Sequence, residues 1–114
     1  MIIKHEQANE IAVAKVDDIP NGGVLKVTVE KRSILLCKIQ NRVFAVSALC
    51  PHRGAPLNEG RMEGALLRCP WHGIKFDVRT GSRACAPICA DLKVYPVVIK
   101  EELIWLSPSS NKEV

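Results

Sequence analysis

Aromatic side chains are scarce, with two Trp, two Phe and one Tyr in 114 residues. A surface that stacks nucleic-acid bases needs more than this. The basic residues do not gather either: sixteen Lys and Arg are scattered from Lys4 to Lys112 with no run longer than Lys31-Arg32, so a net charge of +4 leaves no nucleic-acid footprint. No apolar run approaches the roughly 20 residues that a membrane span requires. The opening Met1-Ile2-Ile3-Lys4-His5-Glu6 turns polar too early for a signal-peptide core. These features predict no nucleic-acid or membrane partner and a cytoplasmic location. Five cysteines is an odd count that fits a secreted disulfide framework poorly. Histidine is rarer still, at three.

What is present reads as short strands and turns. The chain has room for one modest core. Ile11 to Val16 is a strand ending in the turn formers Asp17 to Gly23. Val24 to Glu30 alternates, with Leu25, Val27 and Val29 on one face, the period of a half-buried strand. Lys31-Arg32 is the expected turn into a strand from Ser33 to Gln40, in which Leu35, Cys37 and Ile39 share a face and Cys37 is a small buried hydrophobe. Asn41-Arg42 then turns the chain into Val43 to Val46, completing an antiparallel meander. From Ser47 onward Gly and Pro dominate, with Glu63-Gly64 expected to join two short strands and Ile74 to Val78 a third. Leu92 to Tyr95 and Val97 to Ile99 form a strand broken by Pro96. Glu101-Glu102 turns it into Leu103 to Leu106, expected to close the sheet begun by the meander. No convincing helix is found.

Two stretches in the Gly/Pro-rich region carry chemistry: Cys50-Pro51-His52 and Cys69-Pro70-Trp71-His72, with sixteen residues between His52 and Cys69. A cysteine and a histidine so close in one loop can aim at a common volume, and two such loops form a clamp. Pro51 and Pro70 stiffen the loops. Gly54 and Gly73 follow, where backbone passing close to a bound centre leaves no space for a side chain. Two thiolates and two imidazoles suit zinc or an iron–sulfur cluster. A zinc finger, however, pairs Cys with Cys and His with His beside a recognition helix that this chain does not show.

In Cys50-x-His52, the sixteen-residue gap and Cys69-x-x-His72, the sequence resembles the Rieske-type [2Fe–2S] proteins. The resemblance extends to residues 50–57, to Cys69-Pro70-Trp71-His72-Gly73 with Phe76-Asp77, to Thr80-Gly81 and to residues 92–97, and covers about residues 10–106. It implies an all-β Rieske fold: an antiparallel β-sandwich or barrel-like base carrying a small cluster-binding subdomain of loops and short strands. It implies one domain over residues 1–106, with the subdomain at about 47–90 and a flexible tail at 107–114. Residue by residue it assigns Cys50 and Cys69 to one iron of a single [2Fe–2S] cluster and His52 and His72 to the other. Such a centre is neutral when oxidised, whereas four thiolates would leave it at −2, so Rieske potentials are higher, about −150 to +300 mV.

Within the family, respiratory members have a disulfide across the two loops, at positions that are Ala55 and Trp71 here. They also have Ser and Tyr hydroxyls against the cluster sulfurs, at positions that are Ile74 and Phe76 here. Without those hydrogen bonds the reduced state is less stabilised, so the expected potential is about −150 mV. Oxygenase members carry a further iron held by two His and a carboxylate. Once His52 and His72 are used, only His5 remains, so the chain is expected to transfer electrons rather than catalyse.

The role implied is that of the ferredoxin in bacterial multicomponent aromatic-ring dioxygenases, taking electrons from a flavin-dependent ferredoxin reductase and passing them to a terminal oxygenase. A Rieske-type subunit fixed within a larger reductase, such as a nitrite reductase, is the alternative. His52 and His72 at the loop tips are the expected docking point and electron exit. Residues 50–85 hold six basic residues and three acidic ones, either a docking face for acidic partners or ordinary solvated surface. Cys85 and Cys89 read as free thiols, Leu57, Trp71 and Pro87 as shields over the cluster, and Trp105 as core packing.

Overall fold

The structure, a computed structural model, describes residues 10–51, 54–71, 73–82 and 91–107. Among these are ten strands in three antiparallel sheets. The middle sheet holds β2 (Val24–Val29), β3 (Arg32–Ile39), β4 (Arg42–Ser47) and β8 (Val94–Tyr95), in that order. A second sheet orders β1 (Ile11–Lys15), β10 (Leu103–Leu106) and β9 (Val97–Lys100). The third orders β5 (Arg61–Glu63), β6 (Leu66–Arg68) and β7 (Lys75–Asp77). The base is thus a sandwich of separate sheets, not a closed barrel.

The meander forms as expected, but its turns fall one residue earlier than the pattern indicated. Val29 pairs with Arg32, so Glu30-Lys31 make the turn, and Ile39 pairs with Arg42, so Gln40-Asn41 do. Glu30 and Lys31 both have positive φ, 52° and 69°, as a two-residue type I′ hairpin requires. Gly64 and Ala65, rather than Glu63-Gly64, link β5 to β6, with the positive φ of 63° at Gly64 as the first turn residue. Glu101-Glu102 is the turn predicted, again with φ positive at both residues.

The last hairpin does not close the meander's sheet. Only β8 joins it, Ala45 pairing with Tyr95 and Val46 with Val94. Pro96, which has no N–H to continue the ladder, marks the crossing into the second sheet, where β10 pairs with both β9 and β1. Two short 3-10 turns, Val16–Asp18 and Leu57–Glu59, are the helical elements among the described residues.

Burial explains the layering. One core joins Ile34, Leu36 and Ala45 of the middle sheet to Ile104 and Leu106. The other joins Leu35, Cys37 and Val46 to Leu67 and Phe76 of the third sheet, and to Cys50 and Cys69. Hence β3 is buried on both faces, where the sequence suggested one, and the middle sheet is the wall that both layers rest on. Cys37 is fully buried, and desolvation pushes its thiol up to about 12 from 9.0. Trp105 is half-buried, with the Lys100 ammonium 4.9 Å from its ring centroid. Ser107 is still tied down, its N–H donating to the Pro96 carbonyl at 3.2 Å. The rest of the expected tail, residues 108–114, lies outside the described residues, as do Cys85, Pro87 and Cys89.

Candidate metal centre

Each cysteine sits at the root of a tight hairpin loop, and the two loops share one frame. In the first, Leu49 bridges to Pro56, the Cys50 N–H donates to the Ala55 carbonyl at 2.9 Å, and the Gly54 N–H donates back to the Cys50 carbonyl at 2.7 Å. In the second, Arg68 pairs with Lys75, the Cys69 N–H donates to the Ile74 carbonyl at 2.8 Å, and the Gly73 N–H donates to the Cys69 carbonyl at 3.0 Å. The loops are therefore equal in length from Cys to Gly. The motif's histidines differ only in standing second or third after the cysteine within that shared frame.

Gly54 and Gly73 both take φ of +74°, a left-handed conformation that costs a residue with a Cβ about 1–2 kcal/mol. Conformation is the observed reason for these glycines. A Cβ at Gly54 would meet no protein atom within 4 Å, while one at Gly73 would stand 3.3 Å from the Arg68 guanidinium.

The first loop is anchored to the middle sheet. The Ala48 N–H donates to the Ser33 carbonyl at 2.9 Å, and the Leu57 N–H donates to the Ala48 carbonyl at 2.8 Å. The second is held by β6 and β7. Cys50 and Cys69 are both buried and belong to the same apolar core as Ala55, Leu57, Leu67 and Phe76. Leu57 is fully buried in this core, whereas Trp71 is 54% exposed and faces solvent. Ile74 packs against this core, and Phe76 is fully buried within it.

His52 and His72 lie outside the described residues, as does Arg53. Among the described residues no three His, Cys, Asp or Glu side chains gather as a metal site. The chemistry of the described half fits an iron–sulfur centre, since two soft sulfur donors are set by matched loops into one water-poor core.

Charge surrounds the second loop. Lys75 pairs with Glu63 at 2.9 Å and Arg68 with the same carboxylate at 3.7 Å. The Lys75 hydrogen bond, foremost, holds the Glu63 carboxyl below its usual range. Arg79 grips Asp77 through both carboxylate oxygens, at 2.9 and 2.7 Å, and lowers it likewise. The Arg68 guanidinium against Gly73 was not foreseen from the sequence, where nothing marks the two residues as neighbours.

Comparison with known proteins defines the class. The Rieske [2Fe-2S] domain model matches residues 9–96, and the chain belongs to that family, whose single cofactor is a Rieske [2Fe–2S] cluster. It is 39% identical over 98 residues to the ferredoxin component of the naphthalene 1,2-dioxygenase/salicylate 5-hydroxylase systems of Ralstonia sp, covering 86% of this chain and 94% of the relative. To the naphthalene 1,2-dioxygenase ferredoxin component of Pseudomonas aeruginosa it is 38% identical over 92 residues, covering 81% and 88%. A solved complex of reduced oxygenase and oxidized ferredoxin in carbazole 1,9a-dioxygenase contains a chain matching at TM-score 0.84 and 28% identity, covering 91% of this chain and 97% of that one. Ferredoxin components carry electrons and are not themselves the catalytic subunits. No helix among the described residues is long and apolar enough to cross a membrane.

Proposed function

We propose that the chain is the one-electron carrier of an aromatic-ring dioxygenase system, with Cys50, His52, Cys69 and His72 holding its cluster. The observation that carries this reading is the pair of equal Cys hairpins sharing one buried core, in a chain alignable with nearly the whole length of dioxygenase ferredoxins. When bound, the cluster supplies a site that accepts and releases a single electron.

The chain's own residues do the rest. Leu57, Leu67 and Phe76 keep the cysteine side of the site dry, so the loops need not reorganise water as charge changes. Ile74 and Phe76 offer no hydroxyl, which leaves the reduced state without two stabilising hydrogen bonds and keeps the potential at the low end of the Rieske range, about −150 mV.

A flavin-dependent ferredoxin reductase would be the donor and a terminal oxygenase the acceptor, both docking at the His52/His72 tip, in the cytoplasm. One domain over residues 1–106 accommodates all of this. A spectroelectrochemical titration tests the reading: a one-electron transition near −150 mV supports it, and a transition well above zero, or none, overturns it.

A further inference from the structure

The outer face of the third sheet carries a row of cations that the electron-carrier reading does not require. Arg61 pairs with Arg68 and Arg68 with Lys75, so three basic side chains stand side by side across β5, β6 and β7. Direct cross-strand neighbours project from one face, and the opposite face holds Met62, Leu67 and Phe76 against the core.

This row lies at the end of the sheet that meets the second cysteine loop. Arg68 immediately precedes Cys69, and its guanidinium lies against Gly73. An open groove is lined by Arg61, Arg68, Cys69, Trp71 and Gly73, and also by Glu59. The carboxylates on the sheet are already engaged, Glu63 by Lys75 and Arg68 and Asp77 by Arg79. Arg61 has no ion pair among the described residues.

A second group of acidic residues lies elsewhere. The Val16 N–H donates to the Glu102 carbonyl at 3.0 Å, bringing Asp17 and Asp18 to the Glu101-Glu102 turn of the second sheet, on the other side of the middle layer. The balance of charge thus differs between the two sides: on the third sheet Arg61, Arg68, Lys75 and Arg79 outnumber Glu59, Glu63 and Asp77, whereas behind the wall Asp17, Asp18, Glu101 and Glu102 outnumber Lys15 and Lys38, whose ammonium lies 3.3 Å from the Val16 carbonyl. Such an arrangement orients an incoming charged partner before contact.

Resting on the electron-carrier reading, we infer that Arg61, Arg68 and Trp71 form a docking surface for a redox partner whose contact face is rich in carboxylates. Arginine forks match a carboxylate in two-point geometry. An exposed indole beside two arginines is also the composition of an interface hot spot. A carboxylate entering the groove sets the partner's surface directly over the Cys69 loop.

The test uses the cluster-loaded protein, reduced with dithionite and mixed in stopped flow with anionic ferricyanide or cationic hexaammineruthenium(III), each accepting one electron. The inference predicts that rising salt slows the ferricyanide reaction and speeds the ruthenium one. Arg61→Glu is expected to slow ferricyanide on the order of tenfold at low salt, a difference that narrows at high salt. Lys31→Glu, an equal charge change at the β2–β3 turn, is expected to alter the rate far less.

Fluorescence anisotropy of a labelled hexaglutamate peptide gives a second readout, with binding expected for the parent protein and lost in Arg61→Glu. Identical salt slopes for the two acceptors, or equal effects of the two substitutions, would overturn the docking surface while leaving electron transfer intact. A protein that dithionite does not reduce would overturn the carrier reading and this inference with it.

Discussion

Replacing Gly60 with alanine isolates a close backbone approach that positions the second cysteine. Gly60 has φ of −84°, open to any residue, so the substitution carries no conformational penalty. A Cβ there would collide with the carbonyl oxygen of Arg68 and stand 3.2 Å from both the Arg68 carbonyl carbon and the Leu57 oxygen. These are backbone atoms with little freedom to yield. The Gly60 N–H donates to that same Leu57 oxygen at 2.9 Å, and Arg68 is held between β5 and β7. Roughly 1 Å of separation has to be found by shifting β6, and with it Cys69. Overpacking of this kind costs about 3 kcal/mol, at the upper end of the usual range because backbone must move. For a chain of this size that is about 12 °C in Tm. Anaerobic thermal melts of the loaded protein, with iron content measured alongside, would show both the lowered Tm and weaker iron retention. Gly22→Ala is the control, since nothing lies within 4 Å and only its φ of +75° opposes a side chain. If Gly60→Ala loses less than the control, the close approach does not position the loop and the reasoning is wrong.

Gly54→Ala and Gly73→Ala should each cost about 1–2 kcal/mol through their φ of +74°; urea denaturation showing no loss in either would contradict the shared loop frame. The Cys37 thiol has a folded pKa raised from 9.0 to about 12. Its contribution is complete below about pH 9 and fades as pH rises toward 12, by about 1.4 kcal/mol per unit. Urea curves at pH 8 and pH 10.5 should therefore fall further apart for the parent than for Cys37→Ala, and equal displacement would refute the assignment. Glu101→Asn with Glu102→Gly installs the residues a type I′ turn prefers in place of two strained glutamates. It should raise stability by about 1 kcal/mol, and a lowered Tm would count against the turn.

The sequence showed the site more readily than the layering around it. Cys50, Cys69 and their prolines and glycines fall within short loops, so local order alone exposes the clamp. Leu25, Val27 and Val29 alternate because β2 has one dry face. The run Ile34-Leu35-Leu36-Cys37 hides that both faces of β3 are buried, since periodicity disappears when both sides are apolar. The pairing of β1 with β10 joins residues some ninety positions apart, and nothing in either segment names its partner. The two meander turns fell one residue early because Glu30, Lys31 and Gln40 hold left-handed backbone that sequence patterns reserve for Asn and Gly. The equal Cys-to-Gly spacing of the two loops was visible in the sequence, but the offset of the histidines concealed that the frames are the same.

The most direct test of the central claim is the EPR spectrum of the dithionite-reduced protein, taken with its iron and acid-labile sulfide content. The account predicts about two irons and two sulfides per chain, a reduced-state signal integrating to about one spin, and loss of that signal in Cys50→Ala or Cys69→Ala. A protein that holds zinc and stays EPR-silent after reduction would contradict it.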